Sequence, residues 1–152
     1  MLALLDRNNA SSVVVTGHSL GAAVALLDSV YLRLHLPANT SVRMIGYGMP
    51  RVGNSAFANY VDATLGGNVT HINNKKDLVP TLPGKFLDYA HPAGEIHIQE
   101  SGGWDACPGQ DNPSKLCTVG QVPTMFQGKV SDHRGPYDGI LMGCRLGDAT
   151  TR

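Results

Sequence analysis

The clearest chemistry in this sequence lies in Gly17-His18-Ser19-Leu20-Gly21. It reads G-x-S-x-G, with the β-branched run Val13-Val14-Val15-Thr16 before it and an apolar helical pattern after it. A strand that turns this sharply into a helix strains its central residue, and glycines two positions either side leave room for the backbone to close. Such a turn lifts the Ser19 hydroxyl clear of the sheet and sets it at a helix N-terminus. Free N–H groups and the helix dipole there favour developing negative charge. The Leu20 backbone N–H is the natural first donor of an oxyanion hole. In an ordinary strand–turn–helix the same serine would be only a small polar residue. Its flanking strand and helix favour the nucleophile.

A serine hydroxyl needs a base, and the base needs an acid to fix its tautomer. On this kind of sheet they follow in the order serine, acid, histidine. Asp77 fits the acid, because it lies just past the strand-like run Val69 to Asn73, where a parallel strand opens into a loop. The competing reading is a solvated turn aspartate beside Lys75 and Lys76. Six histidines compete for the base. His18 adjoins the nucleophile but should point away from it. His35 ends a helix, and His71 and His97 fall within strands. His91 and His133 lie on loops after the acid, and the residues alone rank His133 only modestly above His91.

The elements that must position these groups alternate between strand and helix patterns, as in a parallel α/β sheet. Apolar residues at Leu20, Val24, Leu27, Tyr31 and Leu34 predict a helix that ends before Pro37, with its first turns deeply buried. A second strand is expected over Val42 to Tyr47. A helix follows, with N-cap candidates in Gly53-Asn54-Ser55 and one face formed by Phe57, Tyr60, Val61 and Leu65. Gly66-Gly67 ends it. Glu95 to Gln99 reads as a short fourth strand, 101–136 as a long loop, and Tyr137 to Cys144 as a closing helix.

The chain has 152 residues, which suits one domain. Lys plus Arg equals Asp plus Glu at 12 each, so nothing advertises nucleic acid as a partner. No apolar run approaches the length a bilayer needs, and the first ten residues do not read as a signal peptide. Cys107 and Cys117 bracket a Pro/Gly/Asn-rich loop that a disulfide would staple; two separate thiols are the alternative. Cys144 is the odd one out. No Cys/His cluster has zinc spacing, so neither a metal nor a cofactor is expected.

Beyond the elbow, the sequence resembles the fungal class 3 lipases. The resemblance is carried by Val15-Thr-Gly-His-Ser-Leu-Gly-Ala-Ala, by Pro50-Arg51-Val52-Gly53-Asn54 within Tyr47-Gly-Met-Pro-Arg-Val-Gly-Asn-Ser-Ala-Phe-Ala, and by His71-Ile-Asn-Asn-Lys-Lys-Asp-Leu-Val-Pro. It continues in Asp88-Tyr-Ala-His-Pro and Ser131-Asp-His-Arg-Gly-Pro-Tyr. It implies an α/β-hydrolase fold with a mostly parallel sheet and flanking helices. It also implies a Ser19–Asp77–His133 triad, His18 and His91 as site-lining residues, and secretion. The substrate would be a lipid or other ester, with triacylglycerol first, met through brief contact with a lipid interface and without an obligate protein partner. Family members carry a longer first half with further strands, a lid and a second oxyanion donor. The whole of 1–152 is therefore expected to be the C-terminal portion of such a domain. The Val13–Thr16 strand would lose its outer partner, the apolar face of the Leu20–Leu34 helix would lose cover, and stability would be marginal. Cys144 would find its partner in that first half. Three other readings stay open: a catalytically incomplete chain that binds a partner through its edge strand, a feruloyl-type esterase, and an acyltransferase on the same triad.

Overall fold

The computed structural model describes residues 1–143. A short helix, α1 (Leu2–Arg7), leads into β1 (Ser12–His18). β1 turns directly into α2 (Leu20–His35), which gives way to β2 (Ser41–Tyr47). Leu36, the residue before Pro37, is extended at φ −88° and ψ 156°, as the proline ring requires of its neighbour. A two-residue strand, β3 (Gly53–Asn54), and α3 (Ser55–Leu65) come next, followed by β4 (Val69–Asn74). The remaining elements are β5 (Tyr89–Ala90), β6 (Glu95–Ile98), β7 (Trp104–Cys107) and a single turn, α4 (Thr118–Gln121).

Five strands form one sheet in the order β1-β2-β4-β6-β7. The first four are parallel, and β7 closes the far edge antiparallel to β6. β3 and β5 pair apart from it. This is the partial α/β-hydrolase sheet expected from the sequence. Its interior strand β4 is buried along nearly its whole length, as a strand covered on both faces must be. All parallel strands end on the same side, and the loops that leave them there carry the candidate functional residues.

α2 lies on β1 and β2 and touches α3. Its buried face is Ala22, Ala25, Leu26, Ser29 and Val30, an i, i+3, i+4, i+7, i+8 stripe that joins Met44, Val61 and Leu65 in the core. The first turns, expected to be deeply buried, are so only on this face. The other apolar face lacks cover, as expected of a C-terminal portion. Leu20, Val24, Leu27, Tyr31 and Leu34 are 48–71% exposed. The reason is topological: β1 is the edge of the sheet, and among the described residues no strand lies beyond it to cover that side of α2.

On α3, Asn54 takes the cap, its side chain accepting from the Phe57 N–H at 3.0 Å, and Gly66 ends the helix at φ 54°. Val61 and Leu65 face the core, whereas Tyr60 is exposed. The stretch 101–136 is not one loop. It contains β7, α4 and single 3₁₀ turns, and Cys107 and Cys117 are joined by a disulfide that ties the end of β7 to the start of α4. The expected closing helix is absent from its described part. Tyr137 and Ile140 form an antiparallel bridge, with Asp138 at φ 50° and Gly139 at φ 81° between them. Two consecutive positive φ values make a tight hairpin turn, which Asp-Gly favours and a helix cannot contain. Cys144 lies outside the described residues.

Candidate functional site

Ser19 sits between β1 and α2 at φ 57° and ψ −131°. A non-glycine residue held there is strained by about 1–3 kcal/mol, which surrounding structure must offset. Two contacts fix it: its N–H donates to the Tyr47 carbonyl at 2.9 Å, and its own carbonyl accepts from Ala22 N–H at 2.9 Å. Gly17 is required by close approach, since a Cβ there would lie 2.2 Å from the Gly21 carbonyl oxygen. Gly21 is not required for space in the same way, because a Cβ on it would meet nothing within 4 Å. The Leu20 and Gly21 N–H groups, unlike that of Ala22, make no backbone hydrogen bond and are free to hold an anion.

Asp77 and His133 come together across 56 residues of sequence, with His133 Nδ1–H donating to Asp77 Oδ2 at 2.8 Å. The carboxylate cannot donate, so this bond leaves His133 Nε2 as the ring's unprotonated, basic nitrogen. The second carboxylate oxygen, Oδ1, accepts from Val79 N–H at 2.9 Å. Asp77 is fully buried. Burial pushes its carboxyl above the ordinary range, and the hydrogen bonds from His133 and Val79 pull the other way.

Three further residues lie against this pair, and nothing in the sequence pointed to one of them, Gly48. His18 does not turn away from the site. Its Nε2–H donates to the His133 carbonyl oxygen at 2.7 Å, and its ring lies 4.5 Å from the His133 ring, centroid to centroid. Tyr137 donates its hydroxyl to the same carbonyl at 3.3 Å and is buried edge-on against Tyr47. Gly48, at φ 54°, runs directly beneath: a Cβ there would come within 2.9 Å of both Asp77 Oδ2 and His133 Nδ1. The Ser-Asp-His-Arg-Gly-Pro-Tyr stretch hinted at Tyr137, but only packing reveals Gly48.

His91, expected to line the site, is instead a structural residue. It is 2% exposed, donates Nε2–H to the Pro80 carbonyl at 2.8 Å and stacks on His71 at 4.8 Å. Its backbone N–H donates to Asp111 Oδ2 at 3.1 Å. Burial and the neighbouring His71 push its pKa down to about 3, so the ring is neutral. Asp111 also accepts Arg51 Nε–H and Nη2–H at 2.9 and 2.7 Å, and Arg51 reaches the Thr81 and Pro83 carbonyls as well. Arg51, in the stretch that carried much of the resemblance, thus staples the loop that follows Asp77 to the disulfide loop.

Known proteins share this fold. The profile of the lipase (class 3) family matches residues 1–87, more than half of the chain. The chain belongs to the class 3 lipase family. It is 38% identical over 144 residues to the secreted mono- and diacylglycerol lipase MDL2 of Malassezia globosa, covering 93% of this chain and 45% of that protein. Among solved structures it is similar to the Rhizomucor miehei lipase–propeptide complex, at 34% identity and a TM-score of 0.77, over 94% of this chain and 45% of that one. It is also similar to a triacylglycerol lipase whose catalytic centre is formed by a serine protease triad. There the identity is 34% and the TM-score 0.71, over 88% of this chain and 50% of that one. The chain spans about half the length of the relatives it matches.

Proposed function

We propose that this chain carries the catalytic residues of a secreted ester hydrolase acting on acylglycerols, with Ser19 as nucleophile, His133 as base and Asp77 as the acid that orients it. The observation that carries this reading is the strained Ser19 elbow on the same sheet edge as the 2.8 Å Asp77–His133 pair. Ser19 Oγ attacks the ester carbonyl carbon while its proton passes to His133 Nε2. The carbonyl oxygen, now an oxyanion, rests on the Leu20 N–H. When the C–O bond to the alcohol breaks, His133 returns the proton to the leaving oxygen, and the acyl group stays on Ser19. Water then gives a proton to His133 as its oxygen attacks the acyl carbon, and His133 passes that proton to Ser19 Oγ as the acyl C–Oγ bond breaks and the acid leaves. Asp77 remains a carboxylate throughout and stabilises the imidazolium that forms twice.

The relatives' names support an acylglycerol, with mono- and diacylglycerols beside the expected triacylglycerol. The Cys107–Cys117 disulfide supports an oxidising, extracellular setting. We further propose that residues 1–152 form the C-terminal portion of the hydrolase domain. The edge position of β1 and the bare apolar stripe of α2 favour this, as does a span of about half the relatives' length. One oxyanion donor of two would then lie elsewhere, and a missing donor costs about 10²–10³ in rate.

Hydrolysis of a short p-nitrophenyl ester by the chain, beside Ser19→Ala, tests the reading. Hydrolysis lost in Ser19→Ala is expected. Hydrolysis that survives the substitution would contradict it.

A further inference from the structure

Three Asn-x-Ser/Thr triplets occur in the sequence: Asn9-Ala10-Ser11, Asn39-Thr40-Ser41 and Asn68-Val69-Thr70. Each is an acceptor pattern for an N-linked glycan in a secreted chain, and any one of them arises easily by chance. Their places in the fold are not scattered. Asn9 lies just before β1, Asn39 just before β2 and Asn68 just before β4, and these three strands are parallel neighbours in the sheet. Parallel neighbours begin toward the same end, so the three asparagines lie side by side there. Asn9 and Asn39 line one groove with Ser11 and Thr40, and Asn39 and Asn68 line the next with Ser41. The other ends of the same strands lead to Ser19, Gly48 and Asp77. A seven-residue strand such as β1 holds its two ends about 20 Å apart.

All three asparagines are exposed. Asn9 follows α1 at φ 49°, a left-handed conformation that asparagine tolerates, and Ser11 beyond it is exposed. Asn39 sits in a turn closed by the Thr40 N–H donating to the Pro37 carbonyl at 2.8 Å, and Ser41 is exposed. Asn68 ends a turn with Gly66 and Gly67, where an added Cβ would meet nothing within 4 Å, so there is open space beside it. Its Nδ2 donates to the Leu65 carbonyl at 3.0 Å, which uses one of the two amide hydrogens and leaves the other. Asn112 supplies a control within the chain. It precedes Pro113 and Ser114, and proline in the middle position breaks the acceptor pattern.

We infer that Asn9, Asn39 and Asn68 carry N-linked glycans, which clothe the end of the sheet opposite the candidate site. The inference rests on the secreted part of the reading above and not on hydrolysis. Each asparagine Nδ2 attacks the anomeric carbon of an oligosaccharide held on a lipid diphosphate. The N–C bond forms, the bond from that carbon to the phosphate oxygen breaks, the diphosphate leaves with its lipid, and the amide gives up one proton. A glycan is bulky and solubilising, so it belongs on a surface that meets solvent. At this end of the sheet it leaves the loops that carry Ser19, Asp77 and His133 uncovered.

The test is to make the 152-residue chain in a yeast behind a cleavable secretion leader, and to recover it from both cells and medium. The supplied leader brings the chain to the glycosylating compartment whatever its natural targeting, so failure here is separate from failure of the secretion or esterase readings. Peptide N-glycosidase converts each glycosylated asparagine to aspartate, and peptide mass spectrometry locates the change. It should fall on Asn9, Asn39 and Asn68 and not on Asn112. N9Q, N39Q and N68Q should each remove one step in gel mobility, and the triple variant should run with the enzyme-treated chain. Circular dichroism of the glycosylated chain should match that of the triple variant, since the glycans meet only solvent. A leader-cleaved chain in which any of the three carries no glycan, or one whose glycans abolish the native spectrum that the triple variant keeps, would overturn the proposal.

Discussion

His18 Nε2–H donates to the His133 carbonyl oxygen at 2.7 Å, and the two rings lie 4.5 Å apart. The residue beside the proposed nucleophile therefore holds the loop of the proposed base. β1 and the histidine loop come from distant parts of the sequence, and this contact ties them together. Tyr137 adds a second donor to the same carbonyl.

His18 is accordingly a positioning residue. His18→Ala is expected to lower kcat for a soluble ester by about 10- to 100-fold while leaving KM within about threefold, since misplacing a base by an ångström has costs of that order. His18→Gln, whose amide can still reach a carbonyl, should recover part of the loss. Equal effects on kcat and KM, or no rescue, would remove this role. Steady-state kinetics on the purified variants decide it.

The two elbow glycines should behave differently. A Cβ on Gly17 would overlap the Gly21 carbonyl, so Gly17→Ala should cost about 3 kcal/mol or more. Gly21→Ala meets open space within a helix and should be neutral or up to about 1 kcal/mol stabilising. Urea unfolding midpoints measured side by side would show the contrast.

Arg51 and Asp111 form a buried ion pair at 2.7 Å that joins two loops. Arg51→Ala leaves the carboxylate buried and unpaired and should cost about 3–5 kcal/mol. Arg51→Lys should rescue little, because one ammonium cannot replace a guanidinium shared among Asp111 and two carbonyls. Burial pushes the Asp111 carboxyl up, but the hydrogen bonds and charge of Arg51 outweigh it and hold the group below its usual range. A depressed carboxylate contributes stability that is present above its unfolded pKa and lost as pH falls through the folded one. Thermal melts of the parent and Asp111→Asn should therefore differ most at neutral pH and converge toward strongly acid pH.

His71 and His91 act in the same direction at milder acidity. Each donates Nε2–H to a carbonyl, from Pro92 and Pro80 respectively, and each has a buried Nδ1 with no protein partner. Burial pushes both pKa values down, that of His91 to about 3. Below about pH 6.5 the unfolded chain takes up protons that the folded chain refuses. Stability should then fall by up to about 1.4 kcal/mol per pH unit per histidine as pH drops toward the folded value. His91→Gln should flatten the slope of unfolding free energy between pH 6 and 4, as read by denaturant titration. An unchanged slope would mean the ring is not neutral.

The elbow was legible in the sequence because strand, glycines and helix are all local signals. The acid and base segments were legible by order and resemblance, and the Asp77–His133 contact joins them across 56 residues. What escaped needed three dimensions. Periodicity found an apolar stripe on α2 but could not say that the stripe at Ala22, Leu26 and Val30 would meet the sheet instead. His91 became structural through Asp111 and His71, partners that no spacing announces. β7 hid in a Gly-rich stretch because its pairing with β6 follows a turn closed by Gly102, at φ 85°. The Tyr137–Ile140 hairpin is different, since Asp138-Gly139 is itself a turn signal and outweighs the apolar residues around it.

The central claim is that Ser19 is an activated nucleophile, and covalent labelling reads it most directly. Incubating the chain with a fluorophosphonate and mapping the adduct by mass spectrometry should place it on Ser19. Labelling should vanish in Ser19→Ala and fall by at least about 10³-fold in His133→Ala, where no base takes the proton. A folded chain that does not label, or that labels equally without His133, would contradict the claim that Ser19, His133 and Asp77 work as one site.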